Sequence, residues 1–238
     1  LNFEESVAQD ITSAYLVNYK ASFKDTGKCI SAYNNNRFME LASWTKMNPV
    51  AQSTYTGAHV DYGKHGDFTI TTQWDGFEKE LKDHQVYQTV HLPAGTYKFT
   101  AVYDTEYEGA SSGCYLVATL GNSFPLTSEL STSALAYAAM QPKSSTISEN
   151  SVTFSVREAA DVSLGILANM SGEQCMAISS FSLQKMPITI IEGVPDGITA
   201  PTTVGNKSGK KYTIDGRRIT RPISGQPYIE NGQKRIAR

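Results

Sequence analysis

Apolar and polar positions alternate with period two through most of the first 186 residues. Val86, Val90 and Leu92 share one face with Gln88, while Tyr87, Thr89 and His91 take the other. Beyond Pro93-Ala94-Gly95, the residues Tyr97, Phe99, Ala101 and Tyr103 alternate with Lys98, Thr100 and Val102. Two such runs around a short Pro/Gly connection predict an antiparallel hairpin. Further strands are expected over 54–61, 67–74, 114–120, 152–157, 162–168 and 176–185. Short strands at this spacing, separated by turn residues, predict an all-β chain folded as an antiparallel β-sandwich of jelly-roll type. Two stretches depart from the pattern. Leu126, Leu130, Ala134, Leu135 and Ala138 recur at helical spacing, with Thr127 or Ser128 as N-cap and Pro142 beyond the end. They predict a short helix or ordered loop across one end of the sandwich. Over 10–18, Ile11, Tyr15 and Asn18 fit a helix, but the run from Ile11 to Val17 also fits an opening strand.

Composition supports a packed core: 40% of the 238 residues are hydrophobic and 18% charged, outside the range of disordered chains. No apolar run is long enough for a membrane-spanning helix. With 21 basic against 23 acidic residues, the balance argues against a general nucleic-acid binder. The charge is unevenly spread, however. Residues 205–238 carry nine basic residues against Asp215 and Glu230, a net +7, which leaves −9 for the remainder. The shift coincides with Pro187, Pro195, Gly197, Pro201 and Gly205, which read as a linker. The expected organisation is therefore a sandwich over 1–186, a linker over 187–205 and a basic tail over 206–238. In the tail, Asp215-Gly216 and Asn231-Gly232 lie between strand-like runs and predict two tight hairpins. A segment of about 30 residues buries too little apolar surface to stand alone. It is expected to dock, to bind a partner, or to move freely. The chain opens at Leu1 with no apolar leader, as expected where a targeting segment has been removed or the chain trimmed.

Asp10-Ile11-Thr12-Ser13, Asn18, Phe23 and Trp44 resemble the start of galactose-binding-like jelly-roll domains in surface proteins of Bacteroidetes bacteria. The run from Val86 to Tyr97 is similar to their hairpin, and Ile178-Ser179-Ser180-Phe181-Ser182-Leu183 to their last strand. The resemblance covers roughly residues 10–186. Some of these domains are carbohydrate-binding modules, so it implies a sugar as partner and a secreted or cell-surface location. Where that family often has an acidic residue in the closing strand, this chain has Ser179, which departs from its calcium-binding members. Tyr212-x-Ile214-Asp215-Gly216-Arg217-Arg218-Ile219, followed by Tyr228-Ile229-x-Asn231-Gly232-x-Lys234, resembles C-terminal segments of secreted Bacteroidetes proteins. Relatives of those segments include the sorting domains of the type IX secretion system, which implies export. An accessory hairpin of the fold and a basic patch for acidic polymers stand as alternatives.

Candidate chemistry follows from residue types. Sugar recognition uses flat rings against pyranose faces and amides or carboxylates against hydroxyls. Trp74 with Gln73 and Asp75, the pair Tyr103 and Tyr107 with Glu106, and Tyr62 supply that chemistry. Burial of Trp74 in the core is the competing reading. Gly109-Ala110-Ser111-Ser112-Gly113 has the form of a nucleophile elbow, but no histidine follows His91 and a strand follows the motif. His59, Asp61, His65 and Asp67 are close enough in sequence to converge on one loop, where imidazole with carboxylate suits zinc; a polar turn is the simpler account. Cys29, Cys114 and Cys175 form no metal-ligand spacing. A glycoside hydrolase needs two acids opposed across a cleft, for which Asp75, Glu78, Glu80, Asp104, Glu106 and Glu108 are the material. The reading that emerges is a non-catalytic glycan-binding module without cofactor. The alternative is a structural or protein-interaction domain of a surface assembly.

Overall fold

A computed structural model describes residues 7–30, 36–47, 58–73, 79–105, 113–140, 144–187, 211–213, 216–230 and 233–236. Its strands are β1 (Gln9–Asp10), β2 (Asp25–Cys29), β3 (Phe38–Leu41), β4 (Thr45–Met47), β5 (Ala58–Asp61), β6 (Asp67–Thr71), β7 (Glu80–Leu92), β8 (Gly95–Thr105) and β9 (Gly113–Leu120). They continue with β10 (Ala134–Ala139), β11 (Ser144–Val156), β12 (Ala160–Ser171), β13 (Cys175–Lys185), β14 (Lys211–Thr213), β15 (Arg218–Ile219), β16 (Pro227–Glu230) and β17 (Gln233–Ile236). The chain divides into two compact units, Leu1–Thr189 and Ile190–Arg238. No helix among the described residues is long and apolar enough to cross a membrane.

The first unit is an antiparallel β-sandwich. One sheet runs β11-β8-β13-β6-β5-β3-β2, with β1 added against β13; the other runs β10-β9-β12-β7-β4. Alternation puts one row of each strand inward. Val86, Val90 and Leu92 of β7 face Tyr97, Phe99, Ala101 and Tyr103 of β8 within one core, together with Phe68, Ile178, Phe181 and Leu183. Trp44 packs there too, with its ring 4.7 Å from that of Phe181 and 5.5 Å from that of Phe68. Its indole N–H donates to the Asn18 carbonyl at 3.0 Å, so this buried aromatic leaves no polar atom unpaired.

The expected hairpin at Pro93-Ala94-Gly95 does not form. β7 pairs with β12 and β4, whereas β8 pairs with β11 and β13 in the other sheet. The connection crosses the sandwich, and the two apolar rows meet face to face rather than side by side. Both apolar rows are buried either way, so alternation alone does not choose between them.

The segment 126–138, expected as a short helix or ordered loop, is helical only at its start. A 3-10 turn at Thr127–Glu129 and one helical turn at Leu130–Ser133 lead into β10, where Ala134, Ala136 and Ala138 alternate with the more exposed Leu135, Tyr137 and Ala139. Phe124 and Leu130 from this segment cover the outer face of β7, β9 and β12 through Tyr87, Val117 and Leu167. Over 10–18 the chain uses both expected forms, a short strand and then one helical turn at Thr12–Tyr15. That segment runs along β13. Ile11 N–H donates to the Leu183 carbonyl at 3.0 Å, Phe181 N–H to the Tyr19 carbonyl at 2.7 Å, and Ala21 N–H to the Ser179 carbonyl at 2.9 Å.

The second unit is a four-stranded sheet, β15-β14-β16-β17. β14 pairs with β15, and β16 with β17, on either side of the two expected turns; Asp215, Asn231 and Gly232 themselves lie outside the described residues.

Candidate functional site

One end of the sandwich holds a groove of about 370 Å³. Its walls are the start of β7 (Glu80, Leu81, Lys82), the start of β9 (Gly113), the end of β12 (Asn169, Met170, Ser171) and Gln174. These positions are brought together by register, with Glu80 opposite Ser171 and Gly113 opposite Asn169. At the base, β12 slips against β7 between Ala168 and Met170, and Asp83 takes a left-handed backbone (φ 52°). Asn169 locks this irregularity. Its amide donates to the Gly113 carbonyl at 3.1 Å and to the Thr127 hydroxyl at 2.8 Å, and its carbonyl accepts from Asp83 N–H at 2.9 Å. Asp83 in turn accepts from Thr127 N–H at 2.8 Å. A side chain at Gly113 would meet Asn169 Cβ at 2.9 Å, so glycine is what lets the amide approach. With its donors and acceptor engaged, Asn169 shapes the groove. Glu80 and Lys82 are exposed and project charge at the rim.

Gln73 borders the same end. Its N–H donates to the Thr71 hydroxyl at 3.0 Å and its carbonyl accepts from Lys79 Nζ at 3.2 Å. Its side-chain Oε1 is buried with no hydrogen-bond partner among the described residues. Gln174 ties this corner together. Its carbonyl accepts from Thr71 Oγ1 and Thr72 N–H, both at 2.9 Å, and its own N–H donates to Thr72 Oγ1 at 3.2 Å.

The other candidates divide. Trp74, Asp75, Glu106 and Tyr107 lie outside the described residues, as do Glu78, Glu108 and Gly109 to Ser112 of the Gly-x-Ser-x-Gly stretch. Tyr103 is corrected from a sugar-stacking ring to a core residue. It is 1% exposed on the inward row of β8, and its hydroxyl donates to Asn150 Oδ1 at 2.8 Å. Tyr62 is exposed, on a 3-10 turn at the Asp67 end of β6, whereas Gln73 follows the Thr71 end. The structure therefore does not bring these two together. The Tyr62 hydroxyl donates to the Asp25 carboxylate, which pushes the phenol up to about 12.

The loop on which His59, Asp61, His65 and Asp67 could converge sets Asp61 opposite Asp67 but does not gather all four into a metal site. His59 and Asp61 are fully buried on the face of β5 opposite Val60, with the His59 ring against Phe38, whereas His65 is exposed. Among the described residues, no group of three His, Cys, Asp or Glu is placed to hold a metal ion. Cys29, Cys114 and Cys175 form no disulfide with one another, and burial pushes Cys175 up to about 12. Asp67 is half-buried; burial and then the nearby Asp104 carboxylate push it up to about 6. Asp61 meets the Arg37 guanidinium in a two-pronged pair at 3.0 and 3.4 Å and caps Gly63 N–H at 2.8 Å. Replacing Arg37→Ala strands a buried carboxylate. Arg37 is 38% exposed, so water replaces it in part, and the expected cost is about 2 kcal/mol rather than the ~3–5 of a fully buried pair. Chemical denaturation of the variant checks this.

The sequence family described as "Domain of unknown function (DUF5013)" matches residues 18–165. The chain belongs to that family. The match spans β2 to the first half of β12 of this DUF5013 sandwich and includes Glu80, Leu81, Lys82 and Gly113 of the groove, but not Asn169, Met170, Ser171 or Gln174. No curated protein matches the chain.

Among solved structures, a Bacteroides thetaiotaomicron protein named as a candidate sugar binding protein is similar at 14% identity and TM-score 0.46, over 71% of this chain and 98% of that one. TmCBM61 in complex with β-1,4-galactotriose is similar at 8% identity and TM-score 0.41, over 60% and 89%. The CBM22-1 xylan-binding domain of Paenibacillus barcinonensis Xyn10C is similar at 9% identity and TM-score 0.39, over 74% and 96%. At these TM-scores the likenesses assign no ligand. The architecture of the DUF5013 domain rests on its own strand pairing.

Sequence reasoning missed Asn169, Asp83 and the Arg37–Asp61 pair. Asn169 and Asp83 sit 86 residues apart in sequence, and only the register of β7 against β12 joins them. Arg37 had a local signal: a lone cation following an Asn run and preceding Phe38.

Proposed function

We propose that residues 1–186 are a non-catalytic glycan-binding module of an exported bacterial surface protein. The observation that carries this reading is the groove, whose walls offer the Glu80 carboxylate, the Lys82 ammonium, the Gln174 amide and the Ser171 hydroxyl within one open depression. Those are the groups that bond sugar hydroxyls. Trp74, Asp75, Glu106 and Tyr107 are proposed to complete the site, the rings by stacking on pyranose faces. Affinity is modest in this reading, because a few stacks and hydrogen bonds offset the cost of immobilising a sugar. Export belongs to the proposal and is supported by the resemblance of the basic tail to sorting segments.

The test is the full chain on an array of bacterial, plant and mucin glycans, beside Glu80→Ala/Lys82→Ala and Trp74→Ala. The expected result is binding to a coherent set of sugars, weakened about tenfold or more in each variant. Silence across the array, or binding that neither variant changes, overturns it. A second reading, a structural or protein-interaction domain, is favoured by one observation. On the outer side of β10, Tyr137 is 44% and Leu135 37% exposed, with the Tyr115 ring 6.2 Å from Tyr137. A silent array, with self-association that Leu135→Ser/Tyr137→Ser abolishes, selects this reading.

A further inference from the structure

The four-stranded sheet of the second unit distributes its charge unequally between its two faces. Register fixes the rows. Arg218 pairs with Tyr212, Tyr212 with Ile229, and Ile229 with Lys234, so these four side chains form one row across all four strands. Lys211, Glu230 and Arg235 belong to the rows that alternate with it and point to the opposite face. On that opposite face two cations share one carboxylate, with Lys211 Nζ 3.8 Å and Arg235 Nε 3.6 Å from Glu230. On the Arg218 face both end residues are exposed, and neither is in an ion pair among the described residues. Between these cations lie half-buried Tyr212 and Ile229. The row spans three interstrand gaps, about 14 Å between its end positions.

We infer that this face binds an acidic polysaccharide. Charge complementarity names the sign of the partner: residues 205–238 carry +7, and two cations on this face lack a carboxylate among the described residues. The apolar strip between them suits the flat face of a sugar ring, with carboxylate or sulfate groups reaching the cations at either end. A thin linear polymer also fits the charge of the whole chain. Residues 1–204 carry −9, so the net positive charge of the chain is confined to this tail. The proposal is independent of the groove in the sandwich.

The experiment uses the full chain with polygalacturonate as probe and dextran as its uncharged counterpart. Phosphatidylglycerol vesicles and a DNA duplex test the other anionic surfaces. Binding is measured at about 20 and 200 mM salt, a range over which screening of exposed charges rises steeply. Arg218→Gln/Lys234→Gln removes the cations of the proposed face. Lys211→Gln/Arg235→Gln removes two charges from the opposite face. Amide exchange in β16 verifies that sheet pairing survives in both variants.

Polygalacturonate is expected to bind, to weaken about tenfold or more with salt, and to be lost in Arg218→Gln/Lys234→Gln while Lys211→Gln/Arg235→Gln keeps most of its affinity. Glu80→Ala/Lys82→Ala leaves this binding unchanged, which separates it from the groove. Absence of binding at low salt, equal binding of dextran, equal loss in the two tail variants, or tighter binding of vesicles or duplex each overturns the proposal.

Discussion

Acidifying the protein from neutral pH towards pH 4 lowers its urea midpoint steeply, and His84 and His59 account for much of the loss. Both imidazoles are fully buried. Burial holds His84 down to about 4 and His59 to about 3, against 6.5 in the open. Neither nitrogen of His84 has a hydrogen-bond partner among the described residues, so nothing in view stabilises its charged form. Above pH 6.5 both rings are neutral in the folded and unfolded chains. As pH falls from 6.5 towards 4, the unfolded chain takes up both protons and the folded chain takes up neither, so folding becomes less favourable. Below the folded values the loss levels off. Each unit of depression corresponds to about 1.4 kcal/mol, which makes the total on the order of several kcal/mol.

Asp67 works against this trend. Its folded value is raised from 3.8 to about 6, so its contribution is fully present below 3.8 and lost as pH rises through 6. Between those values the folded chain holds one proton that the unfolded chain has released. That offsets roughly one of the two taken up by the unfolded histidines. His84→Leu is therefore expected to flatten the acid limb, and Asp67→Asn to steepen it while raising stability at neutral pH. Urea titrations followed by tryptophan fluorescence at pH 7, 5.5 and 4.5 check both. A midpoint that does not move on acidification overturns the account.

Gly165→Ala is the single substitution expected to do most damage. A Cβ there would stand 2.1 Å from the Val86 carbonyl oxygen and 2.6 Å from Tyr87 Cα. These are backbone atoms of the neighbouring strand and cannot rotate away. Gly165 lies opposite both Tyr87 and Val117, in the middle of the sheet. Relief would therefore require β12 to draw back from β7, the longest pairing in that sheet. The Tyr87 ring, stacked on Phe124 at 4.9 Å and nearly parallel, would move with it. Overpacking of a core typically costs ~1–3 kcal/mol; with backbone as the obstacle, about 3 kcal/mol or more is expected. A urea midpoint close to that of the parent would show that the strands part more easily than their contacts suggest.

Alternation made the sandwich legible because the inward row of each long strand is almost uninterrupted. Val162, Leu164, Ile166 and Ala168 are each fully buried, as that row requires. The same signal is silent on partners, which is why β7 and β8 read as a hairpin and turned out to face each other. Tyr103 was misplaced for a different reason. It continues the inward run of Tyr97, Phe99 and Ala101, but its acidic neighbours drew it towards a surface reading; the period was the better guide. The groove was legible only in outline. Gln73 and Glu80 were picked out by type, whereas Asn169 looked like one more polar residue near a strand end. Its role comes from a slipped register and a left-handed Asp83, both tertiary features. Gly165 sits unremarked inside an apolar run, and only the closeness of two strands gives it meaning.

The way β1 lies on β13 bears on how the sandwich answers to force. Gln9 pairs with Lys185 and Asp10 with Gln184, so the first described strand of this unit begins beside the end of its last. Tension applied at these two points pulls across the paired strands rather than along them. The bonds at Leu183, Phe181 and Ser179 then break one after another, each worth about 1 kcal/mol net, instead of sharing the load. Leu16 resists before the bonds at Phe181 and Ser179 are reached, and Phe23 after them; both are 1% exposed. Pulled in this direction, the sandwich is expected to open like a zip from its first strand.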